Sequence, residues 1–358
     1  MQFKVNKSDL QKAAAFVNGA VDTRSPLHVL HNILIDAKDG QIKLTASDLQ
    51  IEKQFTVAAD IKQEGSITVP SRKLLDFAKT AKSNDVSFKL NNQKASISSG
   101  KQKWSLQTIP AEEFPSLDTR GEYDPINVDS RELSDSIRRT RYAMASDDVR
   151  YYLNGMAFQI EDSVLNVVST DGYRLAKCSI PCDGKDRSII VPNKSIGEIA
   201  SMVDKTEDIV IGIADNSMSF NDSEKSICTK LIDGKYPDWK RVIPSNSESK
   251  AVANREEIIA TIDRTMPLAN EKYKGVRAVF GNGMLVLSAN NPDQEESYDE
   301  TEIEYHGEPL EIGFNGAYLR EAVSTLREPN ISINLKNSNG SARIDEGSLT
   351  CVIMPMRL

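Results

Sequence analysis

Three stretches of the sequence repeat one pattern: VPSRKLLDFAK from Val69, VPNKSIGEIAS from Val191 and FNGAYLREAVS from Phe314. Their starts lie 122 and 123 residues apart. In each stretch the apolar residues follow a three-one-three spacing, which places them on one face of an amphipathic helix. The sequence therefore predicts the same helix three times. The predicted buried faces are Leu74, Phe77, Ala78 and Ala81, then Ile196, Ile199, Ala200 and Val203, then Leu319, Ala322, Val323 and Leu326.

Further segments recur with the same period. A second helical pattern opens each unit, and Ser8, Ser130 and Asn254 are the residues predicted to cap these helices. Short alternating stretches such as QIKLTAS and GMLVLSA predict strands between the helices. The period is too long for a solenoid, so the predicted fold class is α+β, with three similar domains in tandem. The predicted domains are residues 1–122, 123–247 and 248–358.

The composition is that of an ordinary globular protein, with 27% charged and 39% apolar residues among 358. The opening MQFKVNKSDL lacks the apolar core of a signal peptide, and no apolar run is long enough to span a membrane. Four cysteines, Cys178, Cys182, Cys228 and Cys351, are few for so long a chain and fit a reducing compartment, with thiols in or beside strands. We therefore expect a cytoplasmic protein.

The motifs of common catalytic sites are absent from the sequence. It contains three histidines and none of the HExxH, G-x-S-x-G, P-loop or G-x-G-x-x-G signatures. Acidic clusters at Asp147–Asp148 and Asp293–Ser297 lack the ligand spacing of a metal site. We expect no catalytic residue, cofactor or metal, and a scaffold or binding protein. The alternative is an enzyme whose site is built at the domain junctions, and that enzyme would need a convergent set of titratable groups.

Six motifs, in order along the whole chain, closely resemble the bacterial DNA sliding clamp family, the β subunits of DNA polymerase III. They are DVRYYLNGM, STDGYRLA, YPDWKRVIP, NEKYKGVR, ANNPDQEE and the terminal MPMRL. The resemblance implies the DNA clamp fold and a ring-forming, head-to-tail homodimer, with helices lining the hole and sheets outside. Such a ring encircles duplex DNA without reading its sequence. It tethers the replicative polymerase as a processivity factor.

The net charge of −8 argues against a protein that grips nucleic acid over its whole surface. A ring that slides must avoid tight phosphate contacts, because each neutralised phosphate adds affinity. With the resemblance, positive charge is expected only on helices that line the hole. Ordinary solvated helix faces are the alternative for these side chains. The basic residues are Arg72, Lys73, Lys79 and Lys82 after Pro70, and Arg131, Arg138, Arg139 and Arg141 after Asp129.

By motif position, the resemblance assigns DNA contacts to Arg24, Arg72, Tyr151 and Tyr152. The arginines would meet phosphates, and the tyrosines would stack on bases or donate from their hydroxyls. The alternative for the two tyrosines is a strand with one ring facing in and one facing out. Asp147 stands where the family can carry a neutral polar residue that meets DNA. Its charge would repel phosphate, so no contact is predicted there.

The resemblance also implies a pocket between the second and third domains that captures short peptide motifs. The implied partners are the DNA polymerase III catalytic subunit, the clamp loader, other polymerases and repair proteins. Methionine and proline suit such an adaptable apolar surface, whereas a last strand buried in a core is the alternative for the C-terminal strip. The family varies at Tyr173. The implied pocket residues are Leu153, Thr170, Gly172, Tyr173, Arg174, Leu175, Pro237, Arg241, Val242, Val352, Met354, Pro355, Met356 and Arg357.

The junction between two chains is implied to join the first domain of one to the third domain of the other. Apolar burial should dominate there, because exposed ion pairs contribute only about 0–1 kcal/mol each. The alternative is a monomeric three-domain adaptor, which a size measurement by light scattering separates from a dimer. The implied junction residues are Lys73, Trp104, Leu106, Pro267, Leu268, Glu295 and Glu296.

Overall fold

Helices are interspersed among runs of strands in the computed structural model, which describes residues 1–204, 209–245 and 249–357. This mixture of helix and sheet matches the predicted α+β class. The helices are α1 (Lys7–Val17), α2 (Ser71–Thr80), α3 (Ser130–Thr140), α4 (Asn193–Val203), α5 (Arg255–Thr265) and α6 (Gly316–Ser324).

The strands at Asp85–Asn91 and Met284–Asn290 alternate between buried and more exposed residues, as the sequence predicts, whereas those at Val164–Thr170 and Leu349–Ile353 are buried at almost every residue. The first strands of the chain are β1 (Gln2–Asn6), β2 (Asn32–Lys38), β3 (Gln41–Ser47), β4 (Ile51–Gln63), β5 (Gly65–Pro70), β6 (Asp85–Asn91), β7 (Lys94–Ser99), β8 (Gln102–Gln107), β9 (Asp124–Ile126), β10 (Gly155–Glu161), β11 (Val164–Thr170) and β12 (Arg174–Pro181). The remainder are β13 (Arg187–Pro192), β14 (Val210–Ile213), β15 (Ser217–Asn221), β16 (Lys225–Lys230), β17 (Ser249–Asn254), β18 (Gly275–Gly281), β19 (Met284–Asn290), β20 (Glu296–Tyr305), β21 (Leu310–Asn315), β22 (Asn330–Leu335), β23 (Ala342–Glu346) and β24 (Leu349–Ile353).

The elements assemble into two compact units, each with its own sheet. Unit 1 comprises Met1–Asn127 and Gly197–Leu231, and unit 2 comprises Val128–Ile196 and Ile232–Leu358. In unit 1 the strand order is β8-β7-β6-β1-β4-β16-β15-β14-β9, and β5-β2-β3 joins it at β4. In unit 2 the order is β13-β10-β11-β12-β24-β23-β22-β17-β20-β19-β18-β21.

The middle repeat is divided between the two units. Its strands β14–β16 and β9 enter the sheet of unit 1 through antiparallel pairing of β16 with β4. Its strands β10–β13 enter the sheet of unit 2 through antiparallel pairing of β12 with β24. Consecutive repeats therefore share continuous sheets. The predicted domain start at Tyr123 lies just before β9, and the predicted boundary at residue 247 lies outside the described residues.

The predicted helix faces are buried, with one exception. The four positions in α2 and its following turn, and the four in α6 and its following turn, are all buried against the sheets. In α4 the buried residues are Ile196, Ile199, Met202 and Val203, whereas Ala200 is half-buried. The three-one-three spacing thus places the core face correctly at every predicted position except Ala200.

Two of the three predicted helix caps are wrong. The chain is still extended at Asn6 and Asp129, whose side chains accept hydrogen bonds from Ser8 N and Glu132 N. Ser8 and Ser130 already lie inside their helices. Asn254 is confirmed as a cap, because its side chain accepts from the backbone N–H groups of the first turn of α5. Asn and Asp offer a side-chain oxygen one bond farther from the backbone than Ser and are equally good caps.

The four cysteines lie in or directly after strands, as predicted, and all are free thiols. Within the described residues, no helix combines the length and the apolar character needed to cross a bilayer.

Candidate functional site

Unit 2 contains a largely apolar cavity of about 190 Å³ on its surface. Short segments around β11, β12, β24 and two 3-10 turns supply its walls. The cavity brings together nine of the implied pocket residues. The lining consists of Arg150, Tyr152, Leu153, Thr170, Gly172, Arg174, Leu175, Pro237, Trp239, Val242, Val352 and Met354.

The floor of the cavity belongs to a small hydrophobic core. Leu175 in β12 stands directly opposite Val352 in β24, so that the two side chains share one face of the sheet. Leu153, at the end of a 3-10 turn, packs into the same cluster. All three side chains are almost fully buried, which gives a preformed apolar surface at the bottom of the cavity.

The turn between β11 and β12 forms one wall, and side-chain hydrogen bonds fix its shape. Thr170 Oγ1 donates to Arg174 O at 2.6 Å and accepts from Gly172 N at 3.0 Å. The Asp171 carboxylate accepts from the backbone nitrogens of Tyr173 and Arg174, at 2.8 and 3.0 Å. Gly172 has φ +91°, a conformation that side chains rarely adopt. These hydrogen bonds hold the turn in the conformation that forms this wall.

The opposite wall comes from the segment after β16. Tyr236 is buried, and its hydroxyl accepts a hydrogen bond from Thr170 N at 3.0 Å. Burial raises the pKa of the Tyr236 hydroxyl, which therefore stays neutral. Trp239 is buried beside it and donates from Nε1 to Gln159 Oε1 at 2.8 Å. The two aromatic side chains tie this segment to the C-terminal end of β11 and to β10.

Two arginines line the cavity, and each is held by carboxylates. The Arg174 side chain is mostly buried, pairs with Asp171 at 3.0 Å and with Glu321, and lies 4.2 Å from the Tyr318 ring centroid. Arg150 is more exposed and binds both carboxylate oxygens of Asp148. Hydrogen bonds from Arg150 lower the pKa of Asp148 to about 2, so this carboxyl is ionised at neutral pH.

The C-terminal strip contributes both to the core and to the cavity. β24 ends at Ile353, which is fully buried, and Met354 then emerges at the cavity mouth with 38% of its surface exposed. Met354 N donates to Tyr173 O at 2.9 Å, and Met356 N donates to Gly313 O at 2.8 Å. The strip is thus a core strand up to Ile353 and a cavity wall at Met354.

Five implied pocket residues lie outside the cavity lining. Tyr173 points mostly into solvent, and Arg241 is exposed and paired with Asp238 at 2.8 Å. The other three are Pro355, Met356 and Arg357. The sequence reasoning also missed Arg150 and Trp239, although both lie inside the motifs DVRYYLNGM and YPDWKRVIP that carried the resemblance.

The implied DNA contacts fall in both units. In unit 1, Arg24 is exposed in a turn, and Arg72 is exposed in the first turn of α2. In unit 2, the two tyrosines form a 3-10 turn rather than the alternative strand. Tyr151 is 56% exposed, whereas Tyr152 packs on the core cluster and lines the cavity. Tyr151 is therefore the one of the pair with a ring open to solvent.

One of the basic residues expected to line the hole, Arg139, is buried, so this expectation is wrong. Arg139 is only 8% exposed, pairs with Glu346 and donates from Nε to Thr325 O at 3.2 Å. Its charge is therefore neutralised inside unit 2 and is not presented by α3 to solvent. Arg138, the next residue along the helix, is exposed and pairs with Asp135 at 2.7 Å.

Three of the implied junction residues, Trp104, Leu106 and Glu296, lie in two strands that each have an open side. β8 is the last strand of its sheet, and Trp104 in β8 is half-buried against Phe77 at 5.3 Å between ring centroids. Leu106 is buried inside unit 1. In unit 2, β20 pairs with β17 only over Ile303–Tyr305. Among the described pairings, the backbone of Glu296–Glu302 therefore pairs with β19 on one side and has an open side opposite.

The remaining junction residues are accessible. Lys73, Pro267, Glu295 and Glu296 are exposed, and Leu268 is half-buried in a 3-10 turn. Over residues 1–204, 209–245 and 249–357, no three His, Cys, Asp or Glu side chains are grouped as metal ligands would be.

Sequence models of one family match three successive parts of the chain. The N-terminal domain of the DNA polymerase III beta subunit matches residues 1–118, its central domain 127–238 and its C-terminal domain 240–357. These matches confirm the resemblance that the motifs indicated.

Individual relatives and solved structures match over their full length. The beta sliding clamp of Pseudomonas putida is 37% identical, with all of both chains covered. The crystal structure of the DNA polymerase III subunit beta from Pseudomonas aeruginosa has a TM-score of 0.96 at 36% identity, again over all of both chains. A sliding clamp from the same organism, bound to griselimycin, has a TM-score of 0.95 at 36% identity and the same coverage. The predicted three-domain clamp fold is confirmed, and the chain belongs to the DNA polymerase III beta subunit family, the beta sliding clamps.

Proposed function

We propose that this chain is a DNA sliding clamp that closes as a homodimeric ring around duplex DNA and tethers the replicative polymerase. The observation that carries the proposal is the match to beta sliding clamps over the full length of both chains. We place the three domains at residues 1–122, 123–247 and 248–358, which gives six domains in a ring. A closed ring retains DNA by topology, so it functions with a net charge of −8.

Ring closure is supported by the two open strand edges. β8 in unit 1 and the first part of β20 in unit 2 each have a free side. Free edges favour pairing with another chain, and a head-to-tail contact that closes on itself removes both. We place Trp104, Leu106 and Lys73 on one side of this junction. The other side carries Pro267, Leu268, Glu295 and Glu296.

The cavity of unit 2 suits capture of short peptide motifs. Its apolar floor of Leu153, Leu175 and Val352 can bury large side chains, and polar backbone groups at its rim can orient the peptide. We propose that the replicative polymerase, the clamp loader, other polymerases and repair proteins dock here in turn. Tyr173, Arg241, Pro355, Met356 and Arg357 surround the cavity mouth in this proposal.

The chain acts in this proposal as a non-enzymatic scaffold in the cytoplasm, without cofactor. Its DNA contacts are the phosphates and bases that meet Arg24, Arg72, Tyr151 and Tyr152. Both arginines are exposed, and Tyr151 offers an open ring face. Such contacts are few, so sliding is not arrested.

The topology of binding is tested with DNA of two shapes. The protein is loaded onto a nicked circular plasmid by a clamp loader, and its retention is followed by gel filtration before and after the plasmid is linearised. We expect retention on the circle and rapid loss from the linear form at high salt. Arg24→Ala and Arg72→Ala should lower loading, while Lys62→Ala, which removes an exposed lysine of β4, should not. Tight, sequence-dependent binding of wild type to linear duplex would contradict a sliding clamp.

A further inference from the structure

Two of the three histidines of the chain lie in one short turn of unit 1. The segment His28–His31, with the sequence HVLH, is a 3-10 helix. Side chains three residues apart lie one above the other in a 3-10 helix, because three residues complete a turn. The two imidazole rings are accordingly neighbours, with their centroids 5.3 Å apart and their planes at 89°. Both rings therefore lie on the same side of the turn.

The His31 ring is held in a form that leaves one nitrogen available to a ligand. Its Nε2 lies 2.9 Å from Ser25 O, and a carbonyl oxygen can only accept, so Nε2 carries the proton. In the neutral imidazole the free lone pair then belongs to Nδ1. Histidines that bind metal ions usually donate their other ring nitrogen to a carbonyl or carboxylate, which fixes the tautomer and the ring orientation. His31 already has this arrangement.

The backbone of the turn is anchored independently of the rings. Val29 and Leu30, the two residues between the histidines, are buried. Leu30 N donates to Leu27 O at 3.0 Å, and Asp22 N donates to Leu30 O at 3.3 Å. His28, in contrast, is exposed. Its ring can therefore rotate toward an ion while the turn keeps its shape.

The separation of the two rings suits one tetrahedral ion. A zinc ion lies about 2.0–2.1 Å from an imidazole nitrogen, and therefore about 3.2 Å from the ring centroid. Two imidazoles on one tetrahedral ion then have centroids about 5.2 Å apart. The observed separation is 5.3 Å. We propose that His28 and His31 form a binding site for a divalent transition-metal ion of the zinc class, which imidazole ligands favour.

Two protein ligands make an open site. Among the side chains that the structure describes, no third His, Cys, Asp or Glu joins the pair. Water or an anionic oxygen would take the other positions on the ion, which therefore exchanges with solvent and is not a resident cofactor. Arg24, one of the proposed DNA contacts, precedes Ser25 in the same turn. A bound ion would add positive charge where phosphates approach, and this consequence alone rests on the proposed function.

Metal binding is measured on the full-length protein without DNA, so that the result does not depend on clamp function. Zinc chloride is titrated by isothermal calorimetry, and we expect a saturable site with a micromolar Kd. His28→Asn and His31→Asn should each weaken zinc binding at least about tenfold, since losing even an outer partner of a ligand costs about that much. His306→Asn removes the third histidine, which is exposed, and should leave zinc binding unchanged. Absence of zinc binding to wild type, or equal binding to His28→Asn, overturns the inference.

Copper(II) distinguishes metal ligation from simple packing of the rings. Pulsed EPR of the protein with equimolar copper(II) chloride counts the imidazole nitrogens bound to the ion. We expect two imidazoles in wild type and in His306→Asn. We expect one in His28→Asn, which keeps the bond from His31 to Ser25 O. A copper signal without imidazole nitrogens in wild type would show that the rings only pack against each other.

The effect on DNA is tested separately, by anisotropy of a fluorescein-labelled linear duplex at low salt. Zinc should raise the affinity of wild type for the duplex about threefold, because it adds positive charge beside Arg24, and should not change that of His28→Asn. An unchanged affinity while zinc is bound would exclude a role of the ion on DNA. Loss of all duplex binding, with and without zinc, would instead count against the proposed clamp function and leave the metal site intact.

Discussion

Among single residues, Gly172 is the position of the cavity where a side chain is least compatible. Its φ of +91° is one that side chains rarely adopt, and a Cβ there would lie 2.9 Å from Arg150 Nη1. The backbone conformation therefore favours glycine. The contact with the guanidinium, at the end of a flexible side chain, can be relieved by a shift of Arg150. The backbone conformation thus affects the stability of the turn, and the contact affects the position of Arg150.

We predict that Gly172→Ala lowers stability by about 1–2 kcal/mol, the usual cost of a side chain with positive φ. The variant should also displace Arg150 and weaken the binding of a fluorescein-labelled Gln-Leu-Ser-Leu-Phe peptide to the cavity. Gly347→Ala is the control, because Gly347 also has a positive φ but has no atom within 4 Å of the added Cβ. Thermal melting and peptide anisotropy on both variants should show two destabilised proteins, of which only the Gly172 variant binds more weakly. Normal peptide binding by it would mean that the turn is not a rigid wall.

For single residues, the sequence predicts which ones belong to the cavity better than it predicts where their side chains lie. Leu175 was placed in the pocket because the motif STDGYRLA contains it. Arg150 lies in another of the six motifs, DVRYYLNGM, but was missed, since its position depends on Asp148 and on the turn at Gly172. The caps show the same limit, because Asn6 and Ser8 are both good capping residues and only the backbone conformation at Asn6 decides between them.

Among the elements, α3 has two neighbouring arginines in opposite environments. Arg138 is exposed and pairs with Asp135, whereas Arg139 is buried with Glu346. Glu346 also accepts from Arg327 N and Glu328 N at 2.7 and 2.8 Å, which fixes the carboxylate that receives Arg139. The sequence could not reveal this difference, because it arises where α3 packs on the end of α6 and on β23.

We predict that Arg139→Ala lowers the free energy of unfolding by about 3 kcal/mol, because it leaves the Glu346 carboxylate without its buried partner. Arg138→Ala should change it by less than about 0.5 kcal/mol, since an exposed pair within one helix contributes little. The midpoint of urea denaturation compares the two variants on the same helix. Equal midpoints would mean that Arg139 is not buried as described.

The last strand, β24, ends where the cavity begins, so the residues that follow it can take part in peptide binding. We predict that Met354→Ala with Met356→Ala abolishes micromolar peptide binding, about −8 kcal/mol, while melting shifts little. Each buried apolar side chain of a peptide contributes roughly 1.5–3 kcal/mol, and Met354 forms part of that surface. Met284→Ala, a half-buried methionine of β19 outside the cavity lining, is the control.

Deletion of Met354–Leu358 is a second test of the same role. It removes everything after Ile353 and leaves the pairing of β24 with β12 and β23 intact. A folded, non-binding protein is expected. Unchanged peptide binding in either variant would return the C-terminal strip to the role of a core strand alone.

For the whole molecule, the two open strand edges predict how chains meet. Leu268 is half-buried and stands near the proposed junction, where burial in a partner would contribute roughly 2 kcal/mol. We predict that Leu268→Lys gives a folded monomer by light scattering at low concentration, because a lysine there would lose its water. Val210→Lys, on the exposed face of β14, should remain a dimer. A Leu268→Lys protein that still elutes at two chain masses would move the junction elsewhere.

The division of the middle repeat could not be foreseen from the sequence. The repeat at Val69, Val191 and Phe314 correctly gave three copies of one pattern. It contains no sign that β16 would pair with β4 and β12 with β24, because such pairing depends on which strand edges are left open after each copy folds. Sequence periodicity thus identifies the copies, and only the structure identifies the sheets they share.

The shared sheets determine how the protein would behave after cleavage of its chain at one position. A protease cut between residues 245 and 249 would leave β12 and β24 on different fragments, although they are neighbours in one sheet of unit 2. The fragments would therefore stay associated through a full ladder of backbone hydrogen bonds and a common hydrophobic core. The third repeat would not be released as an independent body. The same two pieces, produced separately, are natural halves for a split-protein reporter.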